Sequence, residues 1–458
     1  MPGSLKVKLL TLFNSPVHIA PLAILRIAFG SIMLISVIRF LLKGWVYAFY
    51  IKPKLHFTFY GFDWVKPLGA AGMYFMFAVL IITAILVTIG LYYRLAIVTF
   101  SLCFTYVEMI DKTTYLNHYY FISVMAFLMI LVPANRYYSL DIWRKPDLKV
   151  TMVPAWCTGI FKLQLLLVYF FAGISKLNHD WLIAAMPLRI WLPANSQLPI
   201  IGGLLTKLWV AYAFSWFGAI FDLFIGFLLL SNRARKAAYF MVVVFHLFTA
   251  WFFKIGMFPY IMIFVTIVFF SAKTHLKIIA FLKKFFEFPD INEVEHPRDY
   301  KLSTTKTKFI YAVLILHFTI QLLLPFRYLL YPGELYWTEE GYRFSWRVML
   351  MEKGGTAFFH VKDPATGHQT EIINSQYLTQ FQETQMSTQP DMILQFAHLL
   401  AKEYEKKGIK DPIVTAQSYV TLNGSGSRLY IDSTINLAKE QDSFGHKKWI
   451  LPFHHQIQ

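Results

Sequence analysis

Cysteine and charge are both scarce in this chain, and each shortage narrows what the protein can be. The 458 residues include two cysteines, Cys103 and Cys157, both inside apolar runs, which excludes a disulfide framework and a cysteine-rich metal site. Only 15% of the residues are charged, whereas 57% are hydrophobic and 18% aromatic, a balance too apolar for a soluble protein of this length. No internal repeat is visible, so the paired, broken helices of an inverted-repeat transporter are not expected. Residues 1–17 lack the apolar core and small-residue cleavage site of a removable signal peptide, and the first apolar run is expected to be retained.

The hydrophobic residues are gathered into runs close to the roughly 20 residues that cross a bilayer. They fall at 18–42, 69–92, 95–110, 118–134, 154–174, 208–231, 237–253, 256–272 and 308–327. The expected architecture is a polytopic α-helical membrane protein with about nine transmembrane helices over residues 1–327 and a C-terminal α+β, β-rich extracytoplasmic domain over 328–458. Between the last two runs, KTHLKIIAFLKKFFEF (273–288) alternates lysines with an apolar face and suits a helix lying on an anionic membrane surface.

A formal charge of +17 can signal nucleic acid, but lysines and arginines in a membrane chain first report orientation, and no nucleic-acid partner is expected. A cytoplasmic N-terminus with Lys6 and Lys8 collects Arg94, Arg136, Arg144, Lys145, Lys149, Arg233, Arg235, Lys236, Lys273, Lys277, Lys283 and Lys284 on the same side. The first outer loop, with Lys43, Lys52, Lys54 and Lys66, is the exception. Nine crossings then leave the C-terminal domain outside. In that domain YRFSWRVMLM, TAFFHVKDPATGHQTEI and IVTAQSYVTLNGSGSRLYID alternate as strands do, with turns at Asp363–Gly367 and Asn423–Gly426. DMILQFAHLLAKEYEKKG places Ile393, Phe396, Ala397, Leu400 and Tyr404 on one helical stripe ending at Gly408.

Ionisable groups in apolar runs are costly and mark candidate sites. DKTTYLNHYY (111–120) crowds Asp111, Lys112, Asn117 and His118 into one turn, where Asn117 suits a helix N-cap. Lys162, Tyr169 and Lys176 recur every seven residues and share a helix face. For Lys162 and Tyr169 an interfacial belt is an equal reading. Lys176 follows Ala172 and Gly173, whose small side chains admit a neighbouring helix. His246 stands in an otherwise apolar run that breaks at Lys254, Ile255 and Gly256, and Asp222 is a candidate ion-pair partner of Arg26. Each alone is more readily a satisfied polar group, but His118, Lys176 and His246 fall at one depth. Desolvation disfavours the charged form of a lysine in an apolar cavity, so it can act as a base toward a lipid-soluble acid such as a quinol.

In these same windows the chain resembles the vitamin K-dependent gamma-glutamyl carboxylase family. The likeness rests on Asp111, Lys112, Thr113, Asn117 and His118. It continues through Tyr169, Phe170, Ala172, Gly173, Lys176, Leu177, Asp180 and Trp181, then Phe245, His246, Ile255, Gly256, Met257, Phe258 and Tyr260. The resemblance implies an enzyme that oxygenates reduced vitamin K to its epoxide and uses the strongly basic alkoxide formed on the way to carboxylate glutamate with carbon dioxide. It implies Lys176 as the base and His118 as its assistant, with Asn117, Tyr169, His246 and Met257 lining the quinol pocket. The implied co-substrates are the naphthoquinol, O2 and CO2, without a metal, and the implied partners are quinol, lipid bilayer and a glutamate-containing peptide or protein. Where the family carries a histidine after the Trp346–Leu350 stretch, this chain has Met351 and Glu352. Quinol epoxidation without glutamyl carboxylation, or passive binding of a quinone or lipid, are the alternatives. The short C-terminus suggests a prokaryotic relative in a bacterial inner membrane.

Overall fold

The computed structural model describes residues 11–253, 255–286 and 299–454. Lys6, Lys8, Lys254 and the last two residues of the expected surface helix lie outside them.

Helices stand at all nine expected places. They are α1 (Ala20–Leu42), α2 (Gly69–Ile89), α3 (Tyr93–Met109), α4 (Asn117–Leu131), α5 (Trp156–Ser175), α6 (Leu208–Leu230), α7 (Arg235–Phe253), α8 (Phe258–Thr266) and, beyond the expected surface helix α9 (Ala272–Phe286), α10 (Thr304–Leu323). The count of nine crossings does not carry over, because six of these helices are long and apolar enough to span a bilayer, or seven if the bent pair after α7 is one span. α4 has 15 residues, about 23 Å at 1.5 Å per residue, against roughly 30 Å of hydrocarbon. α3 has 17 residues and carries Arg94 and Glu108 near its ends. α8 stops after 9 residues, and the chain turns by 120° into α9. α9 is the amphipathic basic helix anticipated from its sequence.

Arg26, in α1, is fully buried without the acidic partner expected for it. Its guanidinium donates instead to carbonyls: Nε to Ala134 at 3.1 Å, Nη1 to Val87 at 2.9 Å and Thr88 at 2.6 Å, and Nη2 to Tyr138. Val87 and Thr88 belong to the last turn of α2, where carbonyls lack helical partners and a cation is favoured. Gly90 ends that helix at φ +67, and a Cβ there would stand 2.5 Å from Arg26 Nη1. The sequence could not show this, because backbone carbonyls leave no trace in residue type.

In the C-terminal domain the four-stranded antiparallel sheet runs in the order β4-β3-β5-β6, counting β1 (Pro16–His18), β2 (Met152–Pro154), β3 (Lys353–Lys362), β4 (Gln369–Ile372), β5 (Ile413–Leu422) and β6 (Arg428–Leu429). β1 pairs with β2 beside the bundle. Ala357, Phe359 and Val361 alternate inward with Val414, Ala416 and Val420, the period of two that a one-sided sheet needs. They pack on α11 (Pro390–Lys406), with the Phe359 and Phe396 rings 4.8 Å apart. Gly408 follows that helix at φ +99. YRFSWRVMLM, expected as a strand, is irregular. Phe344, Trp346 and Met349 sit at φ +62, +59 and +53, and residues in the left-handed region cannot continue a pleat. The segment instead buries Trp346 against Tyr120 of α4, with ring centroids 4.8 Å apart.

Polar contacts lock this domain to the bundle. Asp391 at the start of α11 accepts from Lys112 Nζ and from Arg343 Nη1, each at 2.7 Å. Asp111 accepts from Gln382 at 3.0 Å, and Asn423 donates to Asp180 at 2.6 Å. Burial alone raises a carboxyl's pKa, but Arg343 and Lys112 overcome this and hold Asp391 far below the usual carboxylate range. A carboxylate depressed on folding stabilises above its unfolded value and loses that contribution as pH falls through the folded value. The domain is therefore expected to stay docked down to about pH 4, the ordinary carboxylate value, and to weaken only below it. Asp391→Asn leaves two cations facing each other and should cost about 3–5 kcal/mol, read as a lowered melting temperature and faster proteolysis of the C-terminal domain at pH 7.

Candidate active site

Close helix packing builds the site. Gly173 of α5 lies against α6 so tightly that a Cβ would stand 2.5 Å from the Leu223 nitrogen and 2.6 Å from its Cα. That approach brings Lys176, the C-cap of α5, to Asp222 of α6, with Nζ to Oδ2 at 2.7 Å. Lys176 Nζ also donates to the Ala172 carbonyl at 3.3 Å and lies 5.2 Å from the centroid of the Trp181 ring. Trp181 is itself fixed by its indole N–H on Ser215 O at 2.8 Å. Asp222 thus belongs to Lys176 and not to Arg26, and the lysine expected to stand alone in an apolar cavity has a counter-charge. Lys176 is 5% and Asp222 6% exposed, so neither charge has water to replace its partner.

One turn-pair earlier on the same face of α5, Tyr169 OH lies 3.0 Å from His246 Nε2 of α7. The other ring nitrogen, His246 Nδ1, is buried with no hydrogen-bond partner. Lys176, Asp222, Tyr169 and His246 edge a cavity of about 400 Å³ whose remaining wall is apolar apart from Thr249, and includes Phe214, Phe217, Val244 and Phe248 of α6 and α7. Phe217 and Val244 of this wall are half exposed. A space of this composition suits a largely apolar ligand with a polar group, and His246 Nδ1 is a lining atom still lacking a partner. Lys162, on the same stripe, does not line it.

Asn117, His118 and Met257 line a second chamber of about 530 Å³. The chambers share Ile255, Phe258, Val348 and Met349. Phe258 is the partition: its ring centroid is 5.6 Å from that of His118 and 6.0 Å from that of His246. The site residues expected at one depth are thus neighbours across a single phenyl ring, not members of one pocket. Asn117 is not the N-cap, a position held by Leu116. Its amide donates to Arg347 O at 2.6 Å. Arg39 and Arg347 both face this chamber, and among the described residues no acidic side chain lines it. Arg347 Nε is buried without a partner, and Arg39 Nη1 reaches within 3.8 Å of where a Cβ on Gly256 would stand. Asp111 and Lys112 serve docking. Met351 is on neither lining and packs with the core of the C-terminal domain.

Sequence reasoning missed the arginine pair, the Phe258 partition and the roof formed by Val348 and Met349. Only Arg347 and Met349 could have been suspected, from their place in a conspicuous motif.

The bundle and its paired, buried lysine and aspartate define a polytopic helical membrane protein with a largely apolar cavity beside a C-terminal α+β domain, whose one small sheet makes it less β-rich than its sequence suggests. Residues 14–273 match the model of the HTTM domain, and residues 306–456 match that of the vitamin K-dependent gamma-carboxylase lumenal domain. The chain belongs to the vitamin K-dependent gamma-carboxylase family. No solved structure matches it significantly.

Gly173→Ala is expected to force α5 and α6 apart at a site with backbone on the far side, costing about 1–3 kcal/mol. A melting curve of the detergent-purified variant checks this, with Gly159→Ala, which meets nothing within 4 Å, as the control that should melt like wild type.

Proposed function

We propose that this protein oxygenates a reduced naphthoquinone of the vitamin K type to its epoxide and couples that step to carboxylation of glutamate in a peptide or protein. The observation that carries the reading is the Lys176–Asp222 pair at the polar edge of a largely apolar cavity. The quinol supplies, with O2, the reducing power and the strong base that a γ-carbon proton requires, and CO2 is the group fixed.

Lys176 Nζ takes the proton of a quinol hydroxyl, and Asp222, 2.7 Å away, holds the resulting ammonium. To accept it Nζ must enter as the free amine, so the pair sheds one proton before each turnover. His246 Nδ1 is available to the bound quinol, while Tyr169 fixes its ring from the other side. His118, across Phe258, assists the oxygenation from the second chamber. Arg39 and Arg347, in a chamber without acidic lining, match the carboxylate of a glutamyl side chain. An anionic acceptor would therefore wait beside the apolar chamber in which the base is generated. The likeness of the C-terminal domain to a lumenal one, together with the odd count of seven spans obtained when the bent pair is one span, supports a cytoplasmic N-terminus and an extracytoplasmic C-terminal domain.

Lys176→Ala is expected to abolish epoxide formation, and Lys176→Arg as well, since a guanidinium does not give up its proton. His118→Ala should slow it by roughly 10²-fold. Arg347→Leu should depress fixation of labelled CO2 into a glutamyl peptide more than it depresses epoxide. Epoxide and fixed label are followed separately in purified protein supplied with reduced vitamin K. Near-wild-type epoxidation by Lys176→Ala would refute the base assignment. Epoxide without label in wild type would remove the carboxylation half, and no epoxide under any condition would leave a passive quinone binder.

A further inference from the structure

Gly218 stands in the middle of α6, where glycine weakens a helix relative to alanine, and helix packing does not account for it. The other glycine of that helix, Gly226, admits Leu166, whose Cδ1 would lie 2.6 Å from an added Cβ. At Gly218 the same Cβ would meet, beyond its own turn of helix and among the described residues, only Trp181 Cζ2 at 3.7 Å, an ordinary van der Waals distance. Gly218 is nevertheless buried, and it lines the cavity of about 400 Å³ that Lys176 and Asp222 edge.

The neighbours of this bare stretch of backbone say what it faces. Asp222 is four residues further on the same helix face, so Gly218 lies about 6 Å from it along the axis at 1.5 Å per residue. That spacing matches the far ring of a fused pair whose hydroxyl meets Lys176, and it is beyond the reach of a single ring. Trp181 bounds the same corner, with its ring centroid 5.2 Å from Lys176 Nζ. Its indole N–H is held by Ser215 O at 2.8 Å, and Ser215 Oγ donates to its backbone carbonyl. The indole is thereby kept from settling onto Gly218.

Resting on the reading of this cavity as the quinol site, we propose that Gly218 selects ring size. Its missing side chain makes room for the second ring of a naphthoquinol, so that a side chain there excludes two-ring quinols while a one-ring benzoquinol still fits.

The test is anaerobic calorimetric titration of the full chain in detergent, where the absence of O2 prevents turnover. The probes are tail-less: menadiol, which has two fused rings, and methylhydroquinone, which has one. Gly218→Ala is expected to weaken menadiol binding roughly 10-fold, the effect of one carbon in a filled pocket, and Gly218→Val to weaken it further. Methylhydroquinone should bind both variants as it binds wild type. Gly218→Ala should also melt at or above the wild-type temperature, since alanine is the better helix former, in contrast to Gly173→Ala. Equal weakening of both probes, failure of methylhydroquinone alone to bind wild type, unchanged affinity for menadiol, or a melting temperature lowered as in Gly173→Ala would overturn the proposal. Wild-type protein that binds neither probe would instead remove the quinol reading of the cavity itself, and the role of Gly218 with it.

Discussion

Everything at the centre of this molecule depends on how closely two helices touch. Between α5 and α6 there is no room for a methyl group at Gly173, and Gly226 similarly receives Leu166 with a hypothetical Cβ 2.6 Å from its Cδ1. Within lipid, packing and polar contacts must hold helices together, because the solvent is as apolar as their surfaces. Small residues supply the packing here, and the Lys176–Asp222 pair is the polar contact that becomes possible at that spacing. Neither charge could remain buried alone, so the pair and the glycine require one another.

The second dependence runs between the two halves of the chain. Val348 and Met349 close both central chambers, yet they come from a segment whose backbone follows neither helix nor sheet. Trp346 stacked on Tyr120, Asn117 bonded to the Arg347 carbonyl and Tyr115 OH accepting from Phe344 N–H at 2.8 Å pin that segment to the start of α4. The turn that presents His118 is therefore held by the domain that covers it. The cover over both chambers is thus anchored to the wall that carries His118.

The legible part of this structure was the part written in periodicity. Apolar runs located the helices of the bundle, alternation located the two hairpins, and a helical stripe located α11. The failures share a cause: they concern partners that residue type does not encode. Arg26 found carbonyls, leaving Asp222 to Lys176. The count of nine crossings is not confirmed where apolar helices are short, as in α4, or broken, as at α8. The segment from Tyr342 looked like a strand because its residues favour one, and three left-handed residues overrode that preference. His118 and His246 were correctly drawn to the same region, but the ring that separates them was invisible as one phenylalanine among 44.

The origin of the roof also orders events during biosynthesis. The helices carrying Lys176, Asp222, His118 and His246 leave the ribosome before residues 346–349 are made, and these are followed by the sheet and α11 that hold them in place. For that interval the two charges and two imidazoles face an unfinished cavity, open to water on the side where Val348 and Met349 will settle. A nascent chain stopped before its last third would thus hold the chemical groups of the site without the enclosure.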